Sequence, residues 1–111
     1  MCGISGFFNA SMDFNSKRPY YEEILSNMKQ ALSHRGPDDS DIYLTKNCGL
    51  AHTRLSIIDL SGGHQPMQRE LQAFPFHIVY NGEIYNTREL RERLKTHQVF
   101  PSTNSDTELL L

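Results

Sequence analysis

The sequence predicts an α+β domain built on antiparallel strands, and three observations carry that expectation. A strand-like run, CGISGFF, opens the chain at residues 2–8. A helical stripe of apolar residues lies between Pro19 and His34. FPFHIVY at 74–80 is rich in β-branched and aromatic residues and meets Asn81-Gly82, a strong hairpin signal.

Taken in order, residues 2–8 alternate small and apolar side chains as a strand does. Ile24, Leu25, Met28, Ala31 and Leu32 share one helical face, with Pro19 suited to the first turn and Gly36-Pro37 to the end. Strands follow at 41–45 and 49–58 across a Lys46-Asn47 turn, which favours antiparallel pairing, and then a polar loop over about 59–68. The 74–80 strand is expected to turn at Asn81-Gly82 and continue as EIY. Asn86 or Thr87 can cap a short helix carrying Leu90 and Leu94 and running to about His97. Ser105-x-x-Glu108 has the spacing of a capping box, so a helix begins there while the sequence stops at Leu111. On that ground the 111 residues are expected to form part of a longer domain.

Composition narrows the function. The length suits one domain, and 38% hydrophobic with 22% charged residues is the balance of a folded chain. Eleven basic against 13 acidic side chains give a net charge of −2, which offers no cationic field for nucleic acid or anionic lipid. No apolar run approaches the roughly 18 residues of a membrane span, and the N-terminus has no signal-peptide pattern. Two cysteines, Cys2 and Cys48, make neither a disulfide framework nor a CxxC motif, so a reducing, cytoplasmic setting is expected. The five histidines lack metal-ligand spacing, and no metal site is expected. Ser61-Gly62-Gly63 is followed by neither a Lys-Ser/Thr pair nor an evident helix and reads as a loop, not a phosphate cradle.

Cys2 is the first residue that could carry chemistry. Removal of Met1 would place a thiol and a free α-amine on one residue, and the amine, titrating at about 7.7–8.0, could take the thiol proton near neutrality. A small buried residue at a strand start is the plain alternative. Asn81-Gly82 could supply a side-chain amide and an unhindered N–H to a developing oxyanion, or could simply make a tight turn. Arg54, inside the apolar run AHTRLSII, calls for a planar anion, whether a substrate carboxylate or an internal carboxylate. Glu83 and Asp106 suit a substrate ammonium, or a surface charge and a helix-dipole partner respectively.

The segments MCGISGFF, SHRGPDD at 33–39, RLSIIDLSGGHQPM at 54–67, VYNGEIYN at 79–86 and SDTE at 105–108 occur in one order. Together they resemble the class II glutamine amidotransferase family, and within it the glutaminase domain of the asparagine synthetase branch. The resemblance implies a four-layer αββα N-terminal nucleophile hydrolase sandwich, here incomplete at the C-terminus, with residues 1–111 as a partial amidotransferase domain. It implies Cys2 as nucleophile with its own α-amine as base, and Asn81 and Gly82 as the oxyanion hole. Arg54 would bind the glutamine carboxylate, Leu55, Ser56, Ile57 and Ile58 would shape the pocket, and Glu83 and Asp106 would hold the amine. Glutamine would be hydrolysed through a thioester to glutamate and ammonia. No cofactor is implied for this segment; ATP and magnesium belong to a synthetase domain that activates aspartate and is absent from these residues, and no SGGxDS signature occurs. Self-association stays open, as do two other readings: an inactive fragment that only binds glutamine or serves assembly, and the glutaminase segment of another class II amidotransferase.

Overall fold

A computed structural model describes residues 1–56 and 62–111. Its first sheet contains β1 (Gly3–Phe8), β2 (Asp39–Leu44) and β3 (Cys48–Arg54), in the order β1-β3-β2 and antiparallel throughout. The β2–β3 hairpin turns at Lys46-Asn47, where Thr45 N–H donates to Cys48 O at 2.8 Å and Cys48 N–H to Thr45 Oγ1 at 3.0 Å. Helix α1 (Arg18–Ala31) lies across this sheet, preceded by a 3₁₀ turn (Phe14–Lys17) and followed by another (Ser33–Arg35). Pro19 sits in its first turn, where a missing N–H costs nothing.

Side chains alternate across a strand, and this alternation decides which residues of β3 meet the helix. Ala51 is fully buried in a core with Phe14, Leu25 and Leu44, and Thr53 Oγ1 donates to Leu32 O at 3.1 Å. Phe7, Phe14 and Tyr21 pack their rings at centroid distances of 4.6–6.0 Å and close one end. His52 and Arg54 therefore project from the opposite face of the sheet, away from α1.

A second sheet meets that opposite face. It pairs β4 (Met67–Leu71) with β5 (Phe74–Ile78), and His77 of β5 stacks on Tyr43 of β2 at 3.8 Å between ring centroids. The fold is thus α+β with antiparallel sheets, as composition and periodicity predict. The expected hairpin at Asn81-Gly82 is not formed. The turn lies instead at Gln72-Ala73, whose φ values of 50° and 66° give both central residues the left-handed conformation of a two-residue hairpin loop. The sequence signal failed because neither residue is Gly, Asn or Asp, and β4 occupies the end of what reads as a polar loop.

Helix α2 (Thr87–Thr96) packs near the 3₁₀ turn at Thr107–Leu110. It ends in a Schellman motif: Val99 N–H donates to Leu94 O and Gln98 N–H to Lys95 O, both at 2.9 Å, with Gln98 at φ 59°. The expected capping box is replaced by a different device. Glu108 turns back to accept Ser102 N–H, Ser102 Oγ, Thr103 N–H and Thr103 Oγ1 at 2.6–2.9 Å, and pairs with Arg69 of β4 at 3.6 Å. Burial disfavours the Glu108 carboxylate, but these four donors outweigh it and hold the carboxyl below its ordinary value.

The sign of the linkage follows. A depressed folded-state value contributes stability that is full above the unfolded value of 4.5 and is lost as pH falls through the folded one. Glu108→Gln is expected to destabilise the chain by about 2–3 kcal/mol at pH 7, since an amide leaves buried donors facing a donor. Urea unfolding at pH 7 and pH 3 should show the gap between wild type and variant narrowing at the lower pH.

Candidate active site

Antiparallel register brings Cys2 to the end of β3. Gly3 pairs with Thr53, so the residue before Gly3 lies beside Arg54 and Leu55. Leu55 N–H donates to Cys2 Sγ at 3.4 Å, and the thiol lies 3.8 Å from Leu55 O. Arg35 Nε donates to Cys2 O at 3.1 Å, fixing the main chain of the same residue. Side chain and backbone of Cys2 are thus held from two directions.

Arg54 ends β3 with only 6% of its surface exposed. Gly63 lies against its guanidinium, where an added Cβ would fall 2.7 Å from Cζ, so any larger residue would have to displace the cation. His64 holds the same stretch against β2 through both ring nitrogens: Nδ1 to Asp39 Oδ2 at 2.7 Å and Nε2 to Asp41 Oδ2 at 3.1 Å. The hydrogen bond to Asp39 leads in raising the His64 pKa, with that to Asp41 adding to it, because an imidazolium can donate from both nitrogens. Ser56 N–H donates to Asp38 Oδ2 at 2.7 Å, which fixes the chain just after β3.

Beyond β5 the chain runs through Tyr80, Asn81, Gly82 and Glu83. The Tyr80 ring lies against Gly82, and a Cβ there would stand 2.5 Å from Cζ. Ile84 N–H donates to Asp106 Oδ2 at 3.0 Å, joining this segment to the one clamped by Glu108. His52, 1% exposed, directs Nε2 to Tyr80 O at 3.4 Å, and burial lowers its pKa, so the neutral ring donates there.

These segments enclose one cleft of about 390 Å³, lined by Cys2, Arg54, Leu55, Asn81, Gly82, Glu83 and Asp106. Its size is within the range of small-molecule sites. Met1 and Tyr85 stand at the same cleft, as do Gly63, Gln65, Tyr80, Ser105 and Thr107. Residues that carry a thiol, a guanidinium, two carboxylates and a carboxamide, together with a glycine, therefore line one space. Such a set can attack a carbonyl, receive its oxyanion and bind both ionic groups of an amino acid. Ser56 lies next to the lining residue Leu55, whereas Ile57 and Ile58 fall outside the described residues. Among the described residues no group of three His, Cys, Asp or Glu is placed to hold a metal ion, and no helix is long and apolar enough to cross a membrane.

A family model for the glutamine amidotransferase domain matches residues 1–111. The chain belongs to this family. Its relatives include glutamine-hydrolysing asparagine synthetases 3 and 1 of Bacillus subtilis, 38% identical over 111 residues and 40% over 116. Asparagine synthetase 1 of Arabidopsis thaliana, also glutamine-hydrolysing, is 41% identical over 110 residues. The matches cover 100%, 100% and 99% of this chain but only 17%, 17% and 18% of those proteins. This amidotransferase domain is thus homologous to a small segment of each synthetase.

Sequence reasoning missed several residues of the cleft. Gln65 and Thr107 carry no signal in periodicity or charge, because an uncharged polar side chain is readable only once its buried partners are known. Gly63 belongs to a Gly-Gly pair that looks like a loop, and its role is visible only from the guanidinium against it.

Proposed function

We propose that this domain hydrolyses the side-chain amide of glutamine, and that in the whole protein the ammonia passes to aspartate. Once Met1 is removed, the α-amine of Cys2 takes the thiol proton and the thiolate attacks the amide carbon. The Asn81 side-chain amide and the Gly82 N–H stabilise the oxyanion. Its collapse expels ammonia with the proton carried by the amine, leaving a glutamyl thioester that water hydrolyses to glutamate. Arg54 receives the α-carboxylate, Glu83 and Asp106 the α-ammonium, and Leu55 with the neighbouring Ser56 forms part of the pocket wall. Thiol, amine and amide donors complete this half-reaction without a cofactor. ATP and magnesium belong with a synthetase domain that activates aspartate, and a reducing cytoplasmic setting keeps the thiol free.

The observation that carries this reading is the strand register, which delivers Cys2 into the same cleft as Arg54, Asn81, Gly82, Glu83 and Asp106. The finer architecture is read as the four-layer αββα sandwich. In support, the outer face of the β4–β5 sheet leaves Leu71, Phe74 and Phe76 47–68% exposed, an apolar surface fit for a helical layer.

A glutamine-like electrophile that alkylates thiols tests the reaction. Intact mass and peptide mapping should show loss of Met1 and a single adduct on Cys2 that glutamine prevents. Equal labelling of Cys2 and Cys48 would sink the proposal.

A further inference from the structure

The donors assigned to the oxyanion hole stand on backbone that no sheet holds. β5 ends at Ile78, and Tyr80, Asn81 and Gly82 follow outside any strand or helix. Something else must fix them, because oxyanion donors act through prior placement.

Two buried side chains meet the polar groups of Tyr80. Its N–H donates to Gln65 Oε1 at 2.6 Å, and its carbonyl accepts from His52 Nε2 at 3.4 Å. Gln65 is 4% exposed. The Tyr80 N–H can be met only by an acceptor, which settles the orientation of the Gln65 amide and sends Nε2 to the other side. There it donates to Thr107 Oγ1 at 3.2 Å, one residue beyond Asp106. One carboxamide therefore joins the segment bearing Asn81 and Gly82 to the segment bearing Asp106.

We propose that Gln65 is a positioning residue of the glutaminase site, setting the Asn81 amide and Gly82 N–H through Tyr80 and keying them to the Asp106 segment through Thr107. The inference rests on the glutaminase reading above. Rotation about the Tyr80 backbone would swing both donors away from the oxyanion together, and a displacement on the order of 1 Å can cost about 100-fold in rate. His52 limits the same rotation from the carbonyl side, through the longer and weaker bond. The side-chain hydrogen bonds of Gln65 go to Tyr80 and Thr107 and not to the thiol's own partners, Leu55 and Arg35, so Cys2 should keep its place without it.

The test compares the chain, freed of Met1, with Gln65→Met, which keeps side-chain length and removes both hydrogen bonds. Three quantities are read: alkylation of Cys2 by iodoacetamide, which forms no oxyanion; kcat and KM for glutamine; and amide exchange at Ile84, whose N–H is bonded to Asp106 at the far end of the Asn81–Gly82 segment. Expected are alkylation within twofold of wild type, kcat lower by about 10- to 100-fold with KM within threefold, and amide exchange at Ile84 at least about tenfold faster. Unchanged exchange at Ile84, or a loss confined to KM, would overturn the assignment. If wild type is alkylated but never turns over glutamine, the glutaminase reading fails while the exchange result still decides the brace. Should Gln65→Met not fold, scalar coupling across the hydrogen bond from Tyr80 N–H to the Gln65 side-chain carbonyl can be sought in wild type, and its absence would likewise overturn the proposal.

Discussion

Cys2→Ala is expected to reduce glutamine hydrolysis by roughly 10⁴-fold or more, to the limit of detection, whereas Cys48→Ala should leave it within about twofold. The two thiols are separated by the length of β3. Cys48 pairs with Phe8 at one end of the β1–β3 ladder, and Gly3 pairs with Thr53 at the other, which at about 3.4 Å per residue puts them nearly 20 Å apart. Burial pushes the Cys48 thiol above its usual value, so less of it is thiolate at neutrality. Cys2 instead lies in the cleft, bracketed by the N–H and carbonyl of Leu55. Ammonia release by the two variants checks this directly. Similar losses from both would remove Cys2 from the nucleophile's role. A form that keeps Met1 should resemble Cys2→Ala, since an amide nitrogen at residue 2 cannot serve as the base.

How much of this was legible beforehand depends on the physical kind of signal. α1 is announced by a stripe of Ile24, Leu25, Met28 and Leu32 with Pro19 before it, and it forms over Arg18–Ala31. The Lys46-Asn47 turn joins two strands whose pairing is local, and it forms as expected. The β4–β5 hairpin was hidden because Gln72 and Ala73 adopt left-handed backbone without the residues that favour it. Tertiary pairing outweighs local preference there, at a cost of roughly 1–2 kcal/mol per residue. At Ser105-x-x-Glu108 the pattern was right in spacing and wrong in partner. Glu108 finds four donors behind it in Ser102 and Thr103, while Ser105 Oγ accepts Thr107 N–H at 3.3 Å.

The candidate site divides in the same way. Residues whose chemistry is intrinsic, such as a thiol behind the initiator or an arginine within an apolar run, are visible in one dimension. Gln65 is not, since a carboxamide gains meaning only from the Tyr80 N–H and Thr107 hydroxyl it joins across 15 and 42 residues of sequence. His64 had no motif either, because its two carboxylates come from alternate positions on β2.

Asn81→Ala is expected to lower kcat by about 10²–10³-fold, equivalent to roughly 2.7–4 kcal/mol of transition-state stabilisation, with a much smaller change in KM. Sequence alone allowed a plainer account, in which Asn-Gly was chosen for a tight turn. The backbone removes the hairpin-tip form of that account: neither Asn81 nor Gly82 has positive φ, and among the described residues the left-handed non-glycine positions are Gln72, Ala73 and Gln98. Alanine can therefore take the Asn81 backbone conformation without the strain a hairpin tip would impose. What it removes is the carboxamide of a residue that lines the cleft next to Gly82. A donor to the ground-state amide alone would raise KM; a donor to the oxyanion acts chiefly when charge develops, so its loss falls on kcat. Iodoacetamide should alkylate Cys2 in Asn81→Ala at the wild-type rate, because that displacement builds no oxyanion. A variant with normal kcat and raised KM would make Asn81 a binding residue only, and slow alkylation would show instead that its loss had disturbed the thiol.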